Sequence, residues 1–228
     1  MRDDQNDAVT IEVTVEAPAA EIWASLRDPA RIRRWHGWEY DQLDEEIRTI
    51  FLDDVRADED ALTLVVAGGD CFELLPDGRA TRLILTRAEG AGAVDTGEDD
   101  VTEGWLIFLH QLKFLHERQP DAVRRTLFFA GHGDAGALPR LLHTVPADVG
   151  PPWYSTGHHQ GVELPDLGPG LLITVGKPSV TDEAGRSTVD AMSVVTMYGL
   201  LDGEFGIQRD IWTAWWQSAY PDAADPVS

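Results

Sequence analysis

The stretch from Val101 to Gln119 constrains the fold most, because it predicts one long helix with a single apolar face. Its apolar residues follow the three- and four-residue spacing of a helix with one buried side. They are Trp105, Phe108, Leu109, Leu112 and Leu115. A helix of this length spans about 28 Å, which is enough to cross a small domain. Pro120 marks its end.

Short antiparallel strands are predicted ahead of this helix. Residues 10–16 alternate apolar and polar side chains, as a half-buried strand does. Further strands are predicted over residues 62–66, 71–75 and 80–87, with turns between them. Residues 19–26 have helical spacing, and Asp28-Pro29 is a typical start for a second short helix. We interpret residues 46–51 as a strand, from their β-branched content.

The second half repeats this order of elements. Its predicted strands cover residues 125–130, 171–175 and 188–200, and a short helix is predicted over 136–144. A long aromatic helix is predicted over residues 204–220, which include three tryptophans. The second half is therefore either a degenerate copy of the first or an unrelated appendage.

One stretch of the first half resembles a known family. Its matching residues are Ala17-Pro18, Ile22-Trp23, Leu26, Asp28-Pro29, Ile32 and Trp35. This pattern is similar to the opening of the START-like (SRPBCC) superfamily. It resembles most the branch related to the activator of the heat-shock protein 90 ATPase. The matching Thr81-Arg82-Leu83 and Glu103-Gly104-Trp105 lie further along. The resemblance covers roughly residues 8–119.

The resemblance implies an α+β fold of the helix-grip type, in which an antiparallel sheet wraps around a long C-terminal helix. We predict a START-like domain over residues 1–119. We predict that residues 120–228 form either a reduced second unit, of a degenerate helix-grip kind, or a docked extension. An apolar cavity is implied between sheet and helix. We predict that it is lined by Trp35, Trp38, Tyr40, Phe72, Trp105, Phe108 and Leu112. The alternative is that these side chains fill an ordinary core.

Three functions remain open at this point. The first is non-catalytic binding of a small lipophilic ligand. The second is a co-chaperone-like module acting on the heat-shock protein 90 ATPase, as the resemblance implies. The third is an enzyme of the cyclase or hydratase kind. That enzyme would need an acid–base pair in the cavity, and His110 is the least implausible candidate.

Composition limits the partners. The formal charge is −22, from 18 basic and 40 acidic residues. This balance argues against nucleic acid or an anionic membrane, because both require a surplus of lysine and arginine. No apolar run approaches the roughly 20 residues of a membrane span. The single cysteine, Cys71, and the acidic N-terminus favour a cytoplasmic protein.

Two further motifs are interpreted conservatively, and we predict neither a metal nor a cofactor. Gly131, Gly133 and Gly136 match the spacing of a dinucleotide-binding loop, but Pro139 interrupts the helix that should follow. His158 and His159, near Glu163, suggest a metal site. Adjacent side chains point in different directions, so a solvated loop is the favoured interpretation.

Overall fold

Two antiparallel sheets organise the part of the chain that the computed structural model describes, residues 9–88, 100–118, 121–177, 180–181 and 187–228. The chain divides into two compact units. The first contains Met1–Gly37 and Asp41–Gln119, and the second contains Trp38–Tyr40 and Pro120–Ser228. The fold is therefore mixed α+β, as the sequence predicts. No helix of the described residues is long and apolar enough to cross a membrane.

The first unit places one antiparallel sheet beside one long helix. Its elements are β1 (Thr10–Val15), α1 (Ala19–Arg27), α2 (Pro29–Ile32), α3 (Leu43–Phe51), β2 (Arg56–Asp58), β3 (Thr63–Val65), β4 (Cys71–Asp77), β5 (Ala80–Thr86) and α4 (Asp100–Arg118). The strand order is β1-β5-β4-β3-β2. Helix α4 packs on β1, where the Lys113 ammonium donates to the Thr14 carbonyl at 2.7 Å. The predicted long helix is confirmed over the described residues.

Strand β1 and helix α2 form for the reasons that the sequence suggests. Ile11, Val13 and Val15 are buried and alternate with exposed residues, so one face of β1 lies on the core. The Asp28 carboxylate accepts the Ala30 N–H at 2.9 Å and caps α2.

The interpretation of residues 46–51 as a strand is wrong, because they belong to α3. The buried residues of α3, spaced four apart, are Leu43, Ile47 and Phe51. Residues 44–46 are all acidic and lie in its first turn, where they stabilise the positive end of the helix dipole. Helical spacing and favourable charge outweigh the β-branched content of this segment.

The second unit contains β6 (Arg124–Asp134), α5 (Ala137–Leu142), β7 (Pro152–Ser155), β8 (His159–Leu164), β9 (Gly170–Gly176), β10 (Val180–Thr181), β11 (Ser187–Tyr198) and α6 (Asp202–Gln217). Strand β11 pairs with β6 on one side and with β9 on the other. The main strand order is therefore β6-β11-β9-β8-β7. Short β10 pairs with the first residues of β11. The two sheets thus share one strand order.

Helix α6 packs its aromatic face into the core of the second unit. Trp212, Trp215 and Trp216 are buried there, as their spacing predicts. Ile207 and Ile211 lie instead on the exposed side. The sequence pattern missed β2, β7, β8 and β10, which are short or weakly alternating.

Candidate functional site

The structure divides the seven predicted cavity residues between the two units. Five of them lie in the first unit: Trp35, Phe72, Trp105, Phe108 and Leu112. Trp38 and Tyr40 belong to the second unit. The Trp38 ring stacks on Phe128 of β6, with centroids 3.8 Å apart and planes 9° apart. The predicted set is therefore divided between the units, and a single cavity lined by all seven residues stays a prediction.

The aromatic residues of the first unit contact one another. The Phe72 and Trp105 rings meet edge to face at 5.3 Å, and Trp105 meets Phe108 at 6.2 Å. Phe51 joins them, 5.6 Å from the Trp35 ring and 6.0 Å from Trp105. Edge-to-face contacts at these distances are favourable ring packing. A ligand-lining role for these residues stays a prediction.

Two buried polar networks contact this aromatic cluster, and neither was predicted from the sequence. The His36 ring is 1% exposed, lies 4.7 Å from the Phe108 ring, and pairs with the Glu46 carboxylate at 2.9 Å. The Asp70 carboxylate accepts the indole N–H of Trp105 at 2.8 Å and the Arg87 guanidinium at 3.1 Å. It also accepts the backbone N–H of residue 88 at 2.9 Å. These bonds satisfy groups that would be costly to bury alone.

A pocket of about 480 Å³ lies in the second unit, and none of the seven predicted residues lines it. Helix α5 and the residue after it form one wall, and the turn between β7 and β8 forms another. The ends of β9 and β11 complete it. The lining residues are Ala135, Leu138, Pro139, Leu142, His143, Thr156, Gly157, His158, Gln160, Thr174, Gly176, Lys177 and Val189. A helix at α5 was predicted from the sequence, but β7 and β8 were not, so the place where these elements meet could not be predicted.

The pocket is lined by buried residues, both apolar and polar, and by exposed polar residues. Leu138 and Val189 are 7% and 6% exposed, and Thr174 is 1% exposed. In contrast, His143 and Gln160 are exposed. A site of this size with apolar side chains and a few polar groups in its lining is typical of small-molecule pockets.

Glycine at position 176 lets α5 approach the sheet. A Cβ at Gly176 would lie 3.1 Å from a methyl carbon of Leu138, closer than ordinary van der Waals contact. Helix α5 is also fixed at its other side, because the indole N–H of Trp215 donates to the Leu141 carbonyl at 3.2 Å. The wall that carries Leu138 and Leu142 is therefore held on two sides.

A row of three polar side chains crosses the sheet, and two of them, Thr174 and Gln160, line the pocket. Ser193 of β11 lies directly opposite Thr174 of β9, which in turn lies opposite Gln160 of β8. Residues that face each other across antiparallel strands project from the same side of the sheet. The Ser193 hydroxyl is fully buried and has no hydrogen-bond partner among the described residues. A hydroxyl of this kind is uncommon in a packed core.

The predicted metal candidates are not brought together. The prediction of a solvated loop is wrong for His159, which lies in β8 and is 1% exposed. Its Nδ1 lies 3.1 Å from the Tyr154 hydroxyl, and burial lowers its pKa to about 4. His158 lines the pocket, whereas His132 pairs with Asp190 at 2.7 Å on exposed strands.

The remaining motif residues have structural surroundings. Gly131 and Gly133 lie in β6, and a Cβ on Gly131 would come within 2.7 Å of the Tyr220 ring. These glycines therefore allow an aromatic ring to lie on the strand. Burial raises the pKa of the Cys71 thiol, which disfavours the reactive thiolate. His110 is half-buried on α4, and a catalytic role for it stays a prediction.

Comparisons with known proteins give no family for this chain. No family model matches it, and no curated protein matches it. A solved structure titled DynU16, a putative protein in the dynemicin biosynthetic locus, is 17% identical. That alignment covers 94% of this chain and 96% of the other, with a TM-score of 0.34.

Two further solved structures are each titled as a di-domain ARO/CYC protein. StfQ, from the steffimycin biosynthetic pathway, is 13% identical over 92% of this chain and 95% of its own, with a TM-score of 0.32. BexL, from the BE-7585A biosynthetic pathway, is 12% identical over 96% and 95%, with a TM-score of 0.33. Similarity at these TM-scores does not define a function.

Proposed function

We propose that this chain is a START-like protein with two helix-grip units, and that the second unit binds a small amphipathic molecule without transforming it. The proposal rests on the pocket beside α5. Its volume of about 480 Å³ lies within the roughly 300–1,000 Å³ of small-molecule sites. Leu138 and Val189 offer apolar contact, and Thr174 and Gln160 offer hydrogen bonds from the same face of the sheet.

The shared strand order supports the two-unit part of this proposal. In each unit a first strand is followed by one or more helices, a meander of strands and a long helix. The last strand of each meander then pairs with the first strand. Under this proposal the units are copies of one ancestral unit, and their different interiors arose afterwards.

A fluorescence titration tests the site. N-phenylnaphthylamine is a neutral apolar dye whose emission rises when it leaves water. We expect saturable binding to the whole chain, and loss of that binding in Leu142→Trp, where an indole fills the pocket. Leu201→Trp is the matched control, because this leucine of the same unit is 72% exposed. Dye binding that survives Leu142→Trp unchanged would refute the proposal.

Catalysis is the second candidate, since two imidazoles line the pocket together with Lys177. His143 and His158 are groups that can accept and donate protons at a bound molecule. Mass spectrometry of small molecules that copurify with wild type and with the His143→Gln/His158→Gln variant separates the two functions. Non-catalytic binding predicts the same masses from both proteins. A molecule that copurifies with the variant and is replaced by a different mass in the wild type would favour an enzyme, whereas simple loss of a mass from the variant would mean weaker binding.

A further inference from the structure

Two uncharged side chains in the lining of the pocket keep hydrogen-bonding capacity that the described residues leave largely unused. The Thr174 hydroxyl is 1% exposed, and its partner among the described residues is the Gln160 carbonyl, 3.5 Å away. This bond is long, because hydroxyl donors normally lie roughly 2.5–3.0 Å from an oxygen acceptor. The side-chain amide of Gln160 is exposed and has no hydrogen bond to another described residue. Both groups are therefore open to a bound molecule.

These two side chains lie next to each other on one face of the sheet. Thr174 of β9 and Gln160 of β8 are directly opposite in the strand register, and both line the pocket. Side chains in this relation have Cβ atoms about 5 Å apart. One oxygen atom of a ligand between them can therefore bond the hydroxyl and the amide together.

The same lining gives little support to an ionic group. None of the described residues that line the pocket is Asp or Glu, so a cation would have no carboxylate to pair with. The backbone N–H of Lys177 donates to the Asp190 carbonyl at 3.0 Å, which continues the pairing of β9 with β11. Alternation along the strand directs the Lys177 side chain away from the face that carries Thr174. The formal charge of −22 also repels anions.

We propose that the ligand of this pocket is an uncharged molecule whose hydroxyl or carbonyl oxygen is bonded by Thr174 and Gln160. This inference rests on the proposed function, because it assigns a chemical class to the ligand of the same site. A hydroxyl and an amide can each donate and accept, so alcohols and ketones share the required chemistry. A hydrocarbon of the same shape would leave both groups unpaired and desolvated, which weakens its binding.

Four compounds that share one naphthalene ring test the chemical class. They are methylnaphthalene, naphthylmethanol, naphthoate and naphthylmethylammonium, and each would displace N-phenylnaphthylamine from the whole chain. We expect naphthylmethanol to bind the wild-type chain about fivefold more tightly than methylnaphthalene, as one net hydrogen bond allows. The anion and the cation should bind no better than methylnaphthalene. Tighter binding of either ion than of the alcohol would overturn the inference.

Variants of the two side chains test the contacts. Thr174→Val keeps the shape of the side chain without its hydroxyl, and Gln160→Met keeps the length without the amide. Each should remove most of the preference for the alcohol and leave the affinity for methylnaphthalene within about twofold. Ser193→Ala is the matched control, because it removes the hydroxyl opposite Thr174 on β11, from a residue that does not line the pocket. The preference should survive in this variant.

The outcomes separate the inference from the proposed function. A preference that survives both Thr174→Val and Gln160→Met, or that falls equally in Ser193→Ala, would overturn the inference. If alcohol and hydrocarbon bind equally and Leu142→Trp blocks both, the pocket is a ligand site and the assigned chemical class is wrong. If the dye does not bind, or if Leu142→Trp blocks neither compound, both proposals fail.

Discussion

In the first unit, the buried indole N–H groups of Trp35 and Trp105 donate to acceptors at 2.9 and 2.8 Å. In the second unit, the equally buried indole N–H of Trp212 has no partner among the described residues, and neither has the hydroxyl of Ser193. The two units share one strand order, so topology alone does not decide whether polar groups at the core are paired.

The two units also differ in the helices that lie between the first strand and the meander. In the first unit α1, α2 and α3 contribute five fully buried large side chains: Ile22, Leu26, Ile32, Leu43 and Phe51. In the second unit the helix in the same place is α5, of six residues. Its buried side chains are Ala137, Leu138 and Leu141. Fewer side chains cover that sheet, which leaves room for the pocket beside α5.

The largest effect should come from breaking the buried network around Asp70 in the first unit. Asp70→Ala leaves the Arg87 guanidinium and the Trp105 indole without their acceptor. Loss of one partner from a buried pair costs on the order of 3–5 kcal/mol. We expect that loss of unfolding free energy in calorimetry. Asp44→Ala, at a side chain 82% exposed, should cost less than about 1 kcal/mol. Equal losses of unfolding free energy in the two variants would contradict a special role for Asp70.

The next effect is a pH dependence in the second unit, from His159. Burial lowers the pKa of this imidazole to about 4 in the folded chain, from about 6.5 when unfolded. Below pH 6.5 the unfolded chain binds a proton that the folded chain does not bind. The free energy of unfolding therefore decreases as the pH is lowered to about 4, and then levels off. At about 1.4 kcal/mol per pKa unit, the fall is on the order of 3 kcal/mol.

The measurement for His159 is the melting temperature between pH 7 and pH 4 in wild type and in His159→Phe. The variant should lose much of the fall over this range, since its side chain takes up no proton in either state. His132→Gln is the control, because this imidazole is 65% exposed. A fall that is identical in wild type and His159→Phe would assign the pH dependence to other groups.

A pair of Leu→Trp variants compares the packing of the two interiors. Leu112 is fully buried in the first unit, so Leu112→Trp should overpack its core and cost about 1–3 kcal/mol. Leu142 faces the pocket, so Leu142→Trp should change the unfolding free energy by less than about 1 kcal/mol. Calorimetry of both variants measures the contrast. If Leu112→Trp is the milder change, the first unit contains the larger void.

The smallest effect contrasts two buried serines. The Ser25 hydroxyl lies 3.0 Å from the His116 ring, so Ser25→Ala should cost about 1 kcal/mol. The Ser193 hydroxyl has no partner among the described residues, so Ser193→Ala should be neutral or slightly stabilising. Chemical unfolding of both variants decides between these values. A cost for Ser193→Ala as large as for Ser25→Ala would mean that this hydroxyl is bonded in solution.

Much of the fold could be predicted from local sequence pattern. The alternation of β1 and the long periodicity of α4 each set their own secondary structure, because one face of each element is buried. The segment that forms α3 was misinterpreted, since its β-branched residues obscured the four-residue spacing of Leu43, Ile47 and Phe51. Strands β7 and β8 have weak patterns and were missed as strands.

The candidate site was less predictable, because it depends on contacts between distant segments. Leu142, Gln160 and Thr174 lie on α5, β8 and β9, and nothing local relates them. Aromatic residues drew attention to the first unit, where they pack on one another. Aromatic content predicts a buried interior, but it does not distinguish a lined cavity from a filled core.

The central claim is that the second unit holds the ligand, and photoaffinity labelling tests it most directly. A diazirine-bearing fatty alcohol would be irradiated with the whole chain, and the labelled peptides mapped by mass spectrometry. We expect labels on residues 135–143, 156–160 and 174–177, with competition by decanol. Labels concentrated on residues 105–112 of α4, with the second unit unmodified, would contradict the account and place the ligand among the aromatic residues of the first unit.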